Sequence, residues 1–169
     1  MTDAPPVGDD ALPDDDSRDF PAVERDYIRR RGRPGFDWIR FDEPSPRHQL
    51  KRPLSEARVG LLSTAGAHLA GEGPIPASGP PRVIPIDAEI AFHHIGYDTK
   101  RAGGDPEVVW PVRTLQQLAE QGVIGTVSGQ AVSMMGAVLD GRLVLDRHVP
   151  PTVDHFRRDR VDLVLLVPA

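Results

Sequence analysis

Two histidines and two aspartates, His93, His94, Asp98 and Asp105, fall within the single stretch AFHHIGYDTKRAGGD, residues 91–105, and a further histidine, His68, stands upstream in STAGAHL. Imidazole titrates near neutral pH and a neighbouring carboxylate can fix its tautomer, so this combination suits proton transfer. On an extended strand His93 and His94 point to opposite faces, which lets only one of them enter a given site and leaves the other to a surface or an interface. A metal reading takes His68, one of the histidine pair and Asp98 as two nitrogens and one oxygen, although their spacing matches no defined ligand pattern.

These residues need elements to hold them. Arg58 to Thr64 reads as a buried first strand opening into the small-residue loop Ala65-Gly66-Ala67-His68. That places His68 beyond the carboxyl end of a strand, where α/β proteins bind ligands. Arg82 to Asp87 reads as a short strand broken by Pro85, Ala91 to Tyr97 as a second, and Val123 to Gly125 as a brief third. Val112 to Gln121 is the clearest helix, with Leu115 and Leu118 inward and Gly122 at its end. Gly141 to Leu145 reads as hairpin or edge material, and a helix follows from Pro150 with Thr152 as its cap. The run VDLVLLVPA, Val161 to Ala169, is nearly continuous in branched apolar residues and predicts a strand covered on both faces. Strands alternating with helices imply an α/β fold with a Rossmann-like or flavodoxin-like, mostly parallel sheet, incomplete at the C-terminus. No GxGxxG follows Thr64 and no GxxxxGK[ST] occurs anywhere, so the usual nucleotide signatures are absent.

Composition narrows the function. The 169 residues, 39% hydrophobic, suffice for one core, and the net charge of −5 argues against a dedicated nucleic-acid binder. No apolar stretch is long enough for a membrane helix, and the N-terminus is acidic and Pro-rich rather than signal-like, which predicts a cytoplasmic location. There is no cysteine, so this chain itself offers neither thiol chemistry nor a thiolate metal site. Residues 1–19 predict a disordered acidic tail, residues 20–52 an extended arm with a weak helix over Phe20 to Arg31, and residues 53–169 the α/β body.

Four pieces in order carry a family resemblance: LKRPLSEARVGLLSTAGAHL (Leu50 to Leu69), HHIGYDTKRAGGDPEVVWPVRTLQQLAEQGVIG (His93 to Gly125), VSMMG (Val132 to Gly136) and VDLVLLVPA. Together they resemble the N-terminal part of the glycine/sarcosine/betaine/D-proline reductase component B family, the selenoprotein B type, over roughly residues 45–169. The chain departs from that pattern at Glu107, where Asn is expected, at Trp110, where Phe is usual, and around Val132-Ser133-Met134. In the family the strand resembling VLLVPA leads directly into a motif of selenocysteine or cysteine, two residues and a cysteine. The resemblance therefore implies that the reactive selenol or thiol follows Ala169, that UGA is read there as a stop, and that this chain is the part preceding the redox motif.

What the resemblance implies chemically is reductive cleavage of the C–N bond of an amino acid or its N-methylated relative. A selenolate acts at the α-carbon, a nearby thiol resolves the adduct, and a selenol is ionised at neutral pH where a thiol of pKa about 8.5 is mostly protonated. His68, His94 and Asp98 are implied as catalytic, with His93, Asp105 and Ser133 at the substrate. A small amine or amino acid is the expected substrate, and a pyruvoyl-bearing subunit and a thiol reductant are the expected partners. Two other readings stand beside it. One is a cysteine-free metal or acid/base enzyme using the His and Asp cluster; the other is a non-catalytic remnant that binds a partner subunit.

Overall fold

The computed structural model describes residues 19–46, 48–138 and 140–169. Two compact units emerge, one ending at Arg40 and the other beginning at Phe41. Apart from Asp19, the expected disordered tail lies outside the described residues.

The first unit is built on α1 (Phe20–Arg30). Asp19 accepts the Ala22 amide at 3.1 Å, and Pro21 presets the first turn where its missing N–H is harmless. The loop after the helix folds back onto it. Trp38 donates its indole N–H to the Pro21 carbonyl at 2.8 Å, and Arg29 donates to the Phe36 carbonyl at 2.6 Å.

The second unit is an α/β body, as the alternation of strands and helices implied. Its centre is β1 (Arg58–Ser63), whose apolar run reads inward on both faces. On one side β1 pairs in parallel with β5 (Thr126–Val127) at its start and β6 (Gln130–Ser133) at its end, two pieces of one interrupted strand. On the other side it pairs in parallel with β7 (Leu163–Val167) along its whole length. Beyond β6 lies β3 (Arg82–Pro85), antiparallel, with Pro85 on this outer strand where a missing donor does no damage. A separate ribbon pairs β2 (Ala67–Leu69) with β4 (Ile90–Phe92), antiparallel.

Helices cover the two faces of β1 and β6. Val112 and Leu115 of α3 (Val112–Glu120) are buried with Val59, Leu61, Ile84, Trp110 and Ala131. Each such side chain contributes about 1.5–3 kcal/mol by leaving water. Glu107 completes the start of α3, accepting the amides of Arg113 at 3.1 Å and Thr114 at 2.8 Å and the Thr114 hydroxyl at 2.7 Å. The opposite face carries α5 (Val149–Arg158), so close that a Cβ on Gly60 would stand 2.8 Å from the Phe156 ring. At the far end of α5, Asp159 grips Arg58 through two hydrogen bonds of 2.7 and 3.2 Å and takes the Ser128 hydroxyl at 2.6 Å. This ties α5, β1 and the β5–β6 interruption together.

Several local expectations are corrected. The final run forms a strand, but an edge strand hydrogen-bonded, among the described residues, only to β1; Leu166 is 65% exposed and Leu163 and Leu165 about 40% and 38%. The helices sit over the inner strands, and apolar sequence alone does not distinguish an edge from a centre. Gly141 to Leu145 is helical rather than hairpin, because Asp140 accepts the Arg142 and Leu143 amides and starts α4 (Gly141–Leu143). A π-turn, Val144–His148, then runs straight into α5. Thr152 consequently lies inside the helix, and its hydroxyl bonds back to the His148 carbonyl at 2.8 Å instead of capping. The strand expected over Ala91 to Tyr97 stops at Phe92, and Val123 to Gly125 precedes rather than forms β5.

Candidate functional site

Because β1, β6 and β7 run parallel and in register, their carboxyl ends meet at one edge of the sheet: Ser63 stands beside Ser133 on one side and Val167 on the other. Ser63 and Ser133 are both fully buried. The Ser63 hydroxyl accepts the Ala65 amide at 3.2 Å, which turns the chain out of β1, whereas the Ser133 hydroxyl has no partner among the described residues.

The chain segments leaving these strands touch one another. Thr64 bonds its hydroxyl to the Ala169 amide at 2.8 Å and to the Ala169 carbonyl at 3.3 Å. Gly136 lies so close that a Cβ there would sit 2.6 Å from the Ala169 carbonyl oxygen and 2.9 Å from the Thr64 carbonyl and hydroxyl. Gly66, in the left-handed region at φ 66°, donates to the Met134 carbonyl at 2.9 Å and accepts the His93 amide at 3.3 Å. Its bare Cα leaves room for the His93 carbonyl. Gly96 in turn packs between His94 and Ala137, the residue after Gly136. The histidine loop is thereby held at the same sheet edge as Ala169.

The ribbon settles which way the histidines face. Ala67, Leu69, Ile90 and Phe92 pack toward the core, so His68, opposite Ala91, faces away from it. The His93 amide donates to the Gly66 carbonyl just beyond the ribbon, where the chain leaves β4. His68 is therefore on a strand, not in the loop expected for it, and is buried at 8% exposure. Its Nδ1 lies 3.1 Å from the Leu69 carbonyl. A carbonyl only accepts, so Nδ1 holds the proton and Nε2 is the basic nitrogen.

His94 has the opposite tautomer. Beyond β4 it no longer obeys strand alternation: its ring stacks on Tyr97 at 4.3 Å, and its Nδ1 accepts the Gly96 amide at 3.0 Å. Nε2 then carries the proton of the neutral ring. Burial and the nearby His93 hold the His94 pKa below the usual histidine value, and burial pushes the Tyr97 phenol above its usual value.

The expected carboxylates do not join the histidines. Asp98 accepts the Lys100 amide at 3.0 Å and pairs with the Lys100 ammonium at 3.5 Å; Asp105 accepts the Glu107 amide at 3.3 Å. Both are exposed, and short local bonds of this kind use up the side chains of turn-forming Asp residues. Among the described residues no three His, Cys, Asp or Glu side chains gather to hold a metal, so the set of His68, one of the pair and Asp98 is not assembled. Residue-type reasoning passed over Thr64, Tyr97 and Gly136. It also passed over His148, buried at the π-turn, where it lines a water-sized cleft with Met134 and Met135. A polar residue directly after an apolar strand and a glycine in VSMMG were the signals available.

The molecule is thus an α/β protein with a mostly parallel sheet and polar groups collected at its carboxyl edge. No family model and no solved structure matches the chain. It is similar to the D-proline reductase subunit gamma of Acetoanaerobium sticklandii, 27% identical over 122 residues that cover 69% of this chain and 50% of the relative. The chain spans about half the length of that curated relative, and the two are distantly related. Among the described residues no helix is long and apolar enough to cross a membrane.

Proposed function

We propose that this chain is a component of a cytoplasmic, selenol- or thiol-dependent reductase that cleaves the C–N bond of a small amino acid, of the D-proline, glycine, sarcosine or betaine type. In that reaction the carbon gains a hydrogen, the nitrogen leaves as an amine, and a dithiol reductant becomes a disulfide, which balances two electrons and two protons. Similarity to a D-proline reductase subunit supports the class. The observation that carries the reading is the seating of Ala169 on Thr64 against Gly136, at the edge that also holds the His93–His94 loop.

A selenocysteine or cysteine directly after Ala169 would supply the nucleophile at that edge. The chain's own residues supply complementary proton chemistry: His68 on β2 carries its proton at Nδ1 and leaves Nε2 as an acceptor, and His94 carries a donor Nε2–H. The fully buried Ser133 hydroxyl lies in the row beside Ser63 and serves substrate or its polar contacts. A partner subunit bearing a pyruvoyl group, as a carbonyl that captures amines, fits this division of labour. The open edge and faces of β7 favour a second reading, a non-catalytic partner-binding chain.

The coding sequence after codon 169 separates the two: UGA followed in frame by a cysteine-containing motif supports the reductase. The protein produced with cysteine at that codon, mixed with the amine-capturing subunit and a dithiol, should then consume D-proline, glycine, sarcosine or betaine with stoichiometric disulfide formation. A UAA or UAG codon with no related sequence downstream, together with no turnover of any of the four, would leave the partner-binding reading.

A further inference from the structure

The stacked pair His94 and Tyr97 carries two buried hydrogen-bonding atoms, His94 Nε2 and the Tyr97 hydroxyl, that find no protein partner among the described residues. Native proteins pair nearly all such atoms, so two orphans on adjoining rings call for a physical reason. The two rings are in direct contact, with centroids 4.3 Å apart and planes inclined by 34°, and yet their polar atoms are not hydrogen-bonded to each other. The Gly96 amide occupies His94 Nδ1, so the neutral ring can only donate through Nε2, and a protonated phenol is also a donor. What completes two neighbouring donors is an acceptor with several lone pairs.

The surroundings select an anionic one. His93 precedes the pair, and the basic residues Lys100 and Arg101 follow it within four residues of Tyr97, on α2 (Lys100–Gly104). The two carboxylates of this stretch, Asp98 and Asp105, are held by Lys100 and by the Glu107 amide. His93 to Asp98 lies in bends outside any helix or strand, so the two rings can turn toward a ligand without breaking a ladder. Gly96 next to Ala137 keeps the pair at the edge where Ala169 is seated.

We propose that His94 and Tyr97 form a two-donor clamp for the carboxylate of a small amino acid, with Tyr97 a substrate-binding residue. This rests on the proposed reductase reading only for the identity of the acid. The test is a binding titration of the full chain, followed by NMR, with D-proline, acetate and D-prolinamide, the last keeping the ring and losing the anion. D-proline and acetate should shift the His94 and Tyr97 resonances, and D-prolinamide should bind at least about tenfold more weakly. Tyr97→Phe should weaken D-proline by about tenfold while leaving the ligand-free melting temperature equal or higher, because it removes an unpaired buried hydroxyl rather than a made hydrogen bond. Equal affinity for D-proline and D-prolinamide, carboxylate binding unchanged in Tyr97→Phe, or a lower melting temperature for that variant would each overturn the clamp. Amine reduction without any carboxylate preference would sink the clamp and spare the reductase reading. Carboxylate binding by a protein that cleaves no C–N bond would do the reverse.

Discussion

The Thr64 hydroxyl is bonded to the backbone of Ala169 on both its sides, accepting the amide at 2.8 Å and donating to the carbonyl at 3.3 Å, although the two residues are 105 positions apart. One threonine thereby fixes where the chain leaving β7 lies relative to the chain leaving β1.

Thr64→Val keeps the shape and removes both bonds, and should lower stability by about 1 kcal/mol in chemical denaturation. Gly136→Ala forces a methyl against the Ala169 carbonyl and the Thr64 backbone. It should cost more, about 1–3 kcal/mol, because backbone rather than a flexible side chain must yield. If Gly136→Ala unfolds at the wild-type denaturant midpoint, this contact is not closed in solution.

Gly66→Ala is expected to be worse than an ordinary surface change. The residue combines φ 66° with the His93 carbonyl lying where its Cβ would go. Loss of about 2 kcal/mol or more is expected, together with faster amide hydrogen exchange at His93, whose N–H bonds to Gly66. A stability loss with unchanged His93 exchange would show that the histidine loop is not anchored there.

Glu107 gives the chain an acid-sensitive helix start. Burial opposes its charge, but the Thr114 hydroxyl, the Thr114 and Arg113 amides and the Arg113 guanidinium outweigh it, and the pKa falls below the usual glutamate value. A carboxyl whose folded pKa is depressed adds stability above the unfolded value, about 4.3, and loses it as pH falls through the lower folded value. Glu107→Gln should therefore cost about 1 kcal/mol at neutral pH, discounted for solvent exposure, and almost nothing at strongly acidic pH. Equal losses at both pH values, measured by thermal unfolding, would contradict the cap.

Leu166 is 65% exposed on the edge strand β7. Leu166→Lys should change folding stability by less than about 0.5 kcal/mol and clearly reduce self-association in light scattering, because a charge on an edge blocks strand addition. A large stability loss instead would mean that Leu166 is covered in the protein's working state.

How much of this was legible depends on whether the controlling contacts were local. The strand β1 and the helix α3 follow from an apolar run and from Leu115 spacing with Gly122 at the end, and both are present. Existence of β7 was equally plain, but its position at the sheet edge was not, since apolarity reports a preference for burial and not which strands pair. Gly141 to Leu145 misled because Asp140 is a cap whose effect depends on the residues after it, and His94 misled because strand alternation was extended past Phe92. Asp98 and Asp105 looked like partners for histidine, but turn chemistry two residues away claimed them first. Thr64 and Gly136 were invisible for a different reason: each matters only through Ala169, and no local pattern marks a contact of that range.

The pairing of β1 also dictates an order of events during synthesis. Its amino end is tied to the Asp162 carboxylate, 104 residues later, through the Arg58 amide, and its nearer strand partners begin only at Thr126. At about 5–20 residues per second, the central strand of the body leaves the ribosome several seconds before any of its strand partners exists. Only the β2–β4 ribbon can close in that interval. Nascent β1 is thus a natural client for a holding chaperone, and the sheet assembles late and all together rather than strand by strand.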